Sequence, residues 1–378
     1  MPNNKTNLNR LRSFAAGFDW ILFSLTVITA IFGIIAIFSA TRSMDSITKV
    51  LVQSGAFLIG LTFMVLVSLF DYEQFNVLVK YIYGVCIVLL IIVLIPGIGQ
   101  AGDWGARSWI RITSSIGFQP AEIVKLGFTI TFAYHLSKVE DEINNPIKLL
   151  FLILHLGVIV GLILMQPDAG SAMVFGFMFA CMVFSAKLSY KYILPILAAG
   201  IASLPFIYFF ALSDYQKTRI KVFLNPESDP LKGGYNVIQS KIAVGSGQIF
   251  GKGYLQGTQN QMKFLPTKHT DFIFSVISEE FGFVGSVLVV ALLFAIILYC
   301  FKVAREANTS FGKYICISIG AMFLFHTVEN IGMCIGLTPV TGIPLPFISY
   351  GGSALLTNMI AVGLVMSVSH QSGNGLFN

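Results

Sequence analysis

Asp271 ends the run Lys268-His269-Thr270-Asp271, which follows a polar, glycine-rich stretch from Gly245 and the turn Phe264-Leu265-Pro266. It directly precedes a long apolar segment that carries Glu279 and Glu280. A basic, glycine-rich loop that brings one carboxylate to the lip of a lipid-embedded helix suits chemistry on a charged substrate at a membrane surface. Two roles stand for Asp271. It caps the helix it introduces, accepting a backbone N–H of the first turn, or it acts as a general base or as a ligand of a divalent cation, Mg2+ or Mn2+. Glu279 lies eight residues on, about two turns deeper on roughly the same face. A charge at the bilayer centre costs about 2.5–3.5 kcal/mol on insertion scales, so such acids usually face a polar interior or pair with a base.

Other groups carry the same two readings. Asp168, in Gln166-Pro167-Asp168, is an N-cap after a proline break, or a second carboxylate on the membrane face of Asp271. Glu122 and Lys125 are spaced i,i+3 and can pair on one helix face. His326 and Glu329, also i,i+3 inside an apolar run, satisfy each other or a neighbouring helix; with His269 they form no zinc set. The glycines of Gly245-Ser246-Gly247 and Gly251-Lys252-Gly253 do not have the spacing of a dinucleotide or P-loop motif, and no strand precedes them. They leave a flexible loop whose N–H groups can approach a substrate.

The elements that position these groups are membrane spans. The 378 residues are 55% hydrophobic and only 11% charged, against about 25% charged in soluble domains. Apolar runs of spanning length fall at 18–40, 50–69, 81–97, 120–136, 148–165, 169–186, 192–212, 272–300, 312–335 and 352–369. The expected fold is therefore all-α: a polytopic membrane protein with ten transmembrane helices. A tail at 1–17, one membrane domain at 18–370 and a tail at 371–378 divide the chain. Short-loop lysines and arginines (Lys5, Arg10, Arg12, Lys80, Lys138, Lys187, Lys302, Arg305) put both termini in the cytoplasm. Three outer segments follow: 98–119 with Arg107 and Arg111, the long loop 213–271 between spans seven and eight, and 336–351. Pro339, Pro344 and Pro346 exclude a regular helix from the last, leaving a re-entrant or surface-lying segment buried in protein. The long loop holds eight basic residues, Arg219 and Lys268 among them; it is a solvated or lipid-attracted surface, or a phosphate site. The five scattered cysteines are buried apolar side chains rather than a disulfide frame.

Several motifs resemble the RodA/FtsW/SpoVE family, also called SEDS proteins. They are Gly234-Tyr235-Asn236, Gln239-Ser240, Phe250-Gly251-Lys252-Gly253, Gly257-Thr258-Gln259, His269-Thr270-Asp271-Phe272, Phe118-Gln119-Pro120-Ala121-Glu122, Gln166-Pro167-Asp168 and Ser349-Tyr350-Gly351-Gly352-Ser353. They cover most of the chain in the family's order, and Gly257-Thr258-Gln259 is similar to the elongation branch. The resemblance implies a peptidoglycan glycosyltransferase of the bacterial cytoplasmic membrane. It would polymerise lipid II, a disaccharide-pentapeptide on undecaprenyl pyrophosphate, on the outer membrane face for elongation and rod shape. The implied partners are a class B penicillin-binding protein, which crosslinks the peptides, and other elongation-complex proteins, with no nucleic acid.

By the same resemblance Asp271 is the catalytic acid, and Arg107, Glu122, Lys125 and Asp168 are further functional positions; Arg219, Lys268 and His269 join them as expected substrate contacts. The chain departs from the family at Thr267, where an acid usually follows Phe-Leu-Pro. The rival readings are a flippase or transporter of lipid-linked precursors, a non-catalytic scaffold for a cell-wall synthase, and a division- or sporulation-specific member of the family.

Overall fold

The computed structural model describes residues 18–43, 46–101, 107–111, 117–211, 214–229 and 233–374. The chain runs through α1 (Trp20–Arg42), α2 (Ile47–Leu69), α3 (Phe75–Leu94), β1 (Gly99–Ala101), β2 (Arg107–Arg111), β3 (Gly117–Phe118), α4 (Pro120–Val139), α5 (Pro146–Leu164), α6 (Ala169–Ser185) and α7 (Tyr190–Phe206). A π-helical turn, Ile207–Ala211, follows. Then come α8 (Asp214–Leu224), α9 (Gly233–Ser246), α10 (Thr258–Gln261), α11 (Ile273–Glu306), α12 (Ser310–Ile335) and α13 (Gly352–Asn374).

Seven helices among the described residues are long and apolar enough to cross a membrane. They answer to the first, second, third, fifth, eighth, ninth and tenth expected spans. The remaining three expected positions are occupied by α4, α6 and α7. α6 and α7 have 17 residues each, and α4 carries Glu122 and Lys125 near its start. Large apolar side chains such as Leu58, Val77, Phe151 and Phe283 are exposed, as a lipid-facing surface requires. α12 is the central helix, packed against α4, α6, α9, α11 and α13, while α13 lies along α2.

The chain is not purely helical. β1, β2 and β3 form a small antiparallel sheet in the order β1-β2-β3. Arg107, Trp109 and Arg111 fall on one face of β2 and Ser108 and Ile110 on the other, so neither face carries an apolar stripe that hydropathy would reveal.

The segment 213–271 is likewise not an open loop. Gly234, Val237, Ser240 and Ala243 are all buried; their three-residue spacing makes one helix face, and α9 lays it against α11 and α12. α13 continues to Asn374, into the segment expected as the C-terminal tail. Residues 1–17, the expected N-terminal tail, lie outside the described residues. All five cysteines are free.

α11 has 34 residues but is interrupted at Gly282, whose φ is 66°. Lys252 N–H donates to the Glu279 carbonyl at 2.9 Å, and Phe283 N–H donates to the Gln248 carbonyl at 2.8 Å. The glycine stretch 247–253 is thus sewn onto the interruption. A Cβ on Gly251 would lie 2.2 Å from the Glu280 carbonyl oxygen, so this glycine serves close packing rather than flexibility. From Gly282 to Glu306 the helix spans about 36 Å, enough for a hydrocarbon core of about 30 Å. Glu279 and Glu280 therefore need not enter lipid.

Candidate active site

Asp271 is buried, 5% exposed, in a turn rather than on the helix. α11 begins at Ile273 with Phe272 in the N-cap position, so Asp271 stands one residue earlier than a capping residue. The turn opens at Thr267, a β-branched residue at φ 45°, a conformation that costs energy and persists only where surroundings impose it. Three successive carbonyls impose it here. The His269 carbonyl accepts from Tyr350 N–H at 2.8 Å and the Thr270 carbonyl from Ser349 Oγ at 2.6 Å. The Asp271 carbonyl accepts from Asn330 Nδ2 on α12 at 2.8 Å.

Gln53 on α2 holds the other side of this seam, donating to the Ser349 carbonyl and accepting from Gly351 N–H. The proline-rich segment 336–351 is non-helical and buries Ile343, Leu345, Phe347 and Ile348 in protein. Its work in the fold is to clamp the Asp271 turn.

Glu279 and Glu280 organise the same region from below. Glu279 is fully buried; its Oε1 accepts from Lys252 Nζ at 2.8 Å, Gln259 N–H at 2.9 Å and Thr258 Oγ1 at 3.1 Å. Its Oε2 accepts from Asn260 N–H. Glu280 accepts from Ser39 Oγ, Leu255 N–H and Asn260 Nδ2. The two carboxylates fold the stretch 252–260 over α11 and anchor it to α1.

Each buried donor left unmade costs about 1–3 kcal/mol. Glu279→Gln is therefore expected to loosen this stretch. Limited trypsin digestion in detergent should cut at Lys252 and Lys263 well before any span is lost. Wild-type resistance in the variant would contradict this role.

A second buried polar group lies between α4 and α12. Lys125 Nζ bonds Glu122 Oε1 at 2.8 Å and His326 Nε2 at 3.0 Å, and His326 Nδ1 lies 3.1 Å from the Pro344 carbonyl. Glu122 Oε2 is buried without a hydrogen-bond partner. His326 and Asn330 are one turn apart on α12, so the Lys125 group and the Asp271 turn hang on one helix face.

The other expected residues divide. Asp168 is the N-cap of α6: its Oδ1 accepts from Ser171 N–H at 2.9 Å, while its Oδ2 accepts from Gln119 Nε2 and Ser171 Oγ. Arg219 on α8 donates to the Thr341 carbonyl at 3.4 Å, and Thr341 Oγ1 donates to Glu329. Glu329 thus pairs with the 336–351 segment and not with His326. Lys268 is fully buried, its ammonium bonded to Ser43 Oγ and to the Asn260 carbonyl. Burial and Lys263 lower its pKa to about 8. These bonds give Lys268 a place in the loop's architecture. The Arg107 side chain lies outside the described residues.

Sequence reasoning passed over Gln53, Asn330 and Lys49. The first two carry a readable signal, being lone amides inside apolar spans, where a polar side chain needs a partner. For the expected divalent cation, no three His, Cys, Asp or Glu side chains among the described residues group to hold one.

Residues 18–374 match the FtsW/RodA/SpoVE family profile, described as cell cycle protein. The probable peptidoglycan glycosyltransferase FtsW of Trichlorobacter lovleyi is 34% identical over 365 residues, covering 94% of this chain and 93% of that protein. The peptidoglycan glycosyltransferase MrdB of Escherichia coli is 34% identical over 369 residues, covering 97% and 96%. Among solved structures, a chain from a peptidoglycan synthase complex that coordinates polymerization and crosslinking superposes with a TM-score of 0.81 at 30% identity, covering 94% and 98%. The rod shape determining protein RodA of Thermus thermophilus gives 0.69 at 28% identity, covering 93% and 96%.

Proposed function

The chain belongs to the FtsW/RodA/SpoVE family, and from that premise we propose that it is a peptidoglycan glycosyltransferase that polymerises lipid II with Asp271 as general base. One observation carries the assignment of the site: Asp271 stands buried in a strained turn whose three carbonyls are clamped by α12 and the 336–351 segment. A capping aspartate needs no such frame.

The acceptor sugar hydroxyl is a poor nucleophile until its proton is removed. Asp271 takes that proton as attack begins, a contribution of typically ~10²–10⁴-fold. The glycosidic bond to the donor's pyrophosphate breaks in the same displacement, with inversion and no covalent intermediate. Negative charge then grows on phosphate oxygens, where Lys125 and Arg107 supply cationic donors. Mg2+ ordinarily keeps several waters and takes one or two carboxylates plus substrate phosphates. Asp271 with the pyrophosphate is the arrangement these residues allow a divalent cation, and no step above depends on it.

The finer reading is a member for elongation and rod shape, working with a class B penicillin-binding protein. Gly257-Thr258-Gln259 supports the elongation branch, although the names of the relatives divide between FtsW and MrdB. The structural likeness to a synthase complex supports the transpeptidase partner. A transporter reading draws on the buried Lys125–Glu122–His326 group, since ionisable residues inside spans often mark transport paths. Synthesis of glycan from lipid II by the purified protein separates the two.

The topology we propose has ten spans, both termini cytoplasmic and the 213–271 segment outside. Gly257 is a poor site for a labelling cysteine, because its Cβ would stand 2.7 Å from Glu279 Oε2. Met262 is 63% exposed and is the better choice. A single cysteine there, in an otherwise cysteine-free chain, should react with an impermeant maleimide in intact cells. Labelling only after permeabilisation would reverse the orientation and, with it, the mechanism.

A further inference from the structure

The turn that ends at Asp271 contains a buried hydrogen-bond donor with no acceptor. His269 lies two residues before Asp271, and its Nε2 is 2.8 Å from the ammonium of Lys49, in the first turn of α2. An ammonium only donates, so Nε2 accepts and the ring proton sits on Nδ1. A ring that accepts at Nε2 carries its single proton on Nδ1 and is neutral. That Nδ1 is buried without a hydrogen-bond partner, and so is Thr267 Oγ1 in the same turn. The ring is not loose. Its centroid is 5.4 Å from that of Tyr350, whose N–H also holds the His269 carbonyl, and Lys49 Nζ lies 6.0 Å from the Tyr350 ring centre.

A buried polar group without a partner is rare in a folded protein and often marks the place where water or a ligand completes the bond. This one is an N–H beside a candidate base. The ammonium of Lys49 on its other nitrogen makes the surroundings favourable to negative charge. The acceptor that fits is an anionic oxygen.

We infer that His269 Nδ1–H donates to a phosphate oxygen of the lipid-linked substrate, and that Lys49 is a positioning residue that holds His269 in this tautomer. The inference rests on the glycosyltransferase reading of the Asp271 site and extends it. A neutral imidazole donor stabilises phosphate without offering a second base to compete with Asp271 for the acceptor's proton. Lys49 acts through the ring and need not reach substrate.

The test uses the full-length protein with its transpeptidase partner and lipid II. An asparagine amide nitrogen falls near the position of Nδ1, whereas that of glutamine reaches the position of Nε2. His269→Gln and His269→Ala should lose about 10²–10³-fold in polymerisation rate, the usual effect of deleting one such donor, while His269→Asn stays within about tenfold of wild type. Lys49→Met should be as damaging as His269→Gln in the wild-type background, yet nearly silent in the His269→Asn background, because an amide has no tautomer to hold. Lys49→Arg should keep most activity. Equal losses from Lys49→Met in both backgrounds would make Lys49 a fold element and overturn its positioning role.

Protein labelled with ¹⁵N-histidine gives a reading without turnover. A neutral ring protonated at Nδ1 is expected at pH 7, and undecaprenyl pyrophosphate, but not undecaprenol, should shift that N–H resonance. Protonation at Nε2, an imidazolium, or a resonance unmoved by saturating undecaprenyl pyrophosphate would overturn the inference. These spectra report binding and tautomer alone. A wild-type protein that made no glycan would count against the proposed reaction, while the resonances would still decide the role of His269.

Discussion

Asp271→Asn is expected to fold, to bind its transpeptidase partner and to make little or no glycan, a loss of about 10²–10⁴-fold or more. The expectation of a folded variant comes from how the residue is held. The bonds from Asn330 and Cys334 go to its backbone carbonyl, which asparagine keeps. Asparagine also matches the shape of aspartate and is as good an N-cap, so a capping role predicts near-normal activity. Only a role that needs a carboxylate to accept a proton or bind a cation predicts a stable, dead protein. The comparison is made on polymer yield from lipid II at equal amounts of monodisperse protein. Yield within a few-fold of wild type would remove Asp271 as the base.

Lys125→Met has the next largest expected effect, and it acts on both stability and activity. Lys125 is almost fully buried, and its departure leaves the Glu122 carboxylate buried without a counter-charge. Breaking a buried pair in this way costs about 3–5 kcal/mol, whereas replacing both partners by neutral groups is often nearly neutral. The informative comparison is therefore with Glu122→Gln/Lys125→Met. The single variant should melt well below wild type and make no polymer. The double variant should recover most of the melting temperature and still make none, because the cation proposed to meet the developing phosphate charge has gone. Recovery of polymer synthesis along with stability would make the pair structural and remove it from the site.

The parts of the fold that were legible in the sequence are those set by hydrophobic length. α1, α2, α3, α5, α11, α12 and α13 all fall on runs of spanning length. The i,i+3 spacing of Glu122 and Lys125 foretold their contact, because both lie on one helix. Short amphipathic elements were less legible. The buried face of α9, from Gly234 to Ala243, is written at helical spacing, but three of its four residues are Gly, Ser and Ala, so its hydropathy signal is weak.

Least legible were contacts whose partners are remote in sequence. Glu279 and Glu280 read as intramembrane acids until Lys252, Asn260 and Ser39 are seen around them. The approach of Lys49 to His269 joins residues 220 positions apart. The Asp168 cap illustrates the opposite case, in which the local reading from Gln166-Pro167-Asp168 sufficed.

The most direct measurement is synthesis of glycan in detergent, where no bilayer remains to be crossed. The purified chain is mixed with its partner, the partner's transpeptidase site inactivated, and with lipid II, and the products are resolved on a gel. A ladder of glycan polymer that disappears with Asp271→Asn is the expected result. No polymer from an intact, partner-bound wild-type protein, or an unchanged ladder from Asp271→Asn, would contradict catalysis by this chain through Asp271.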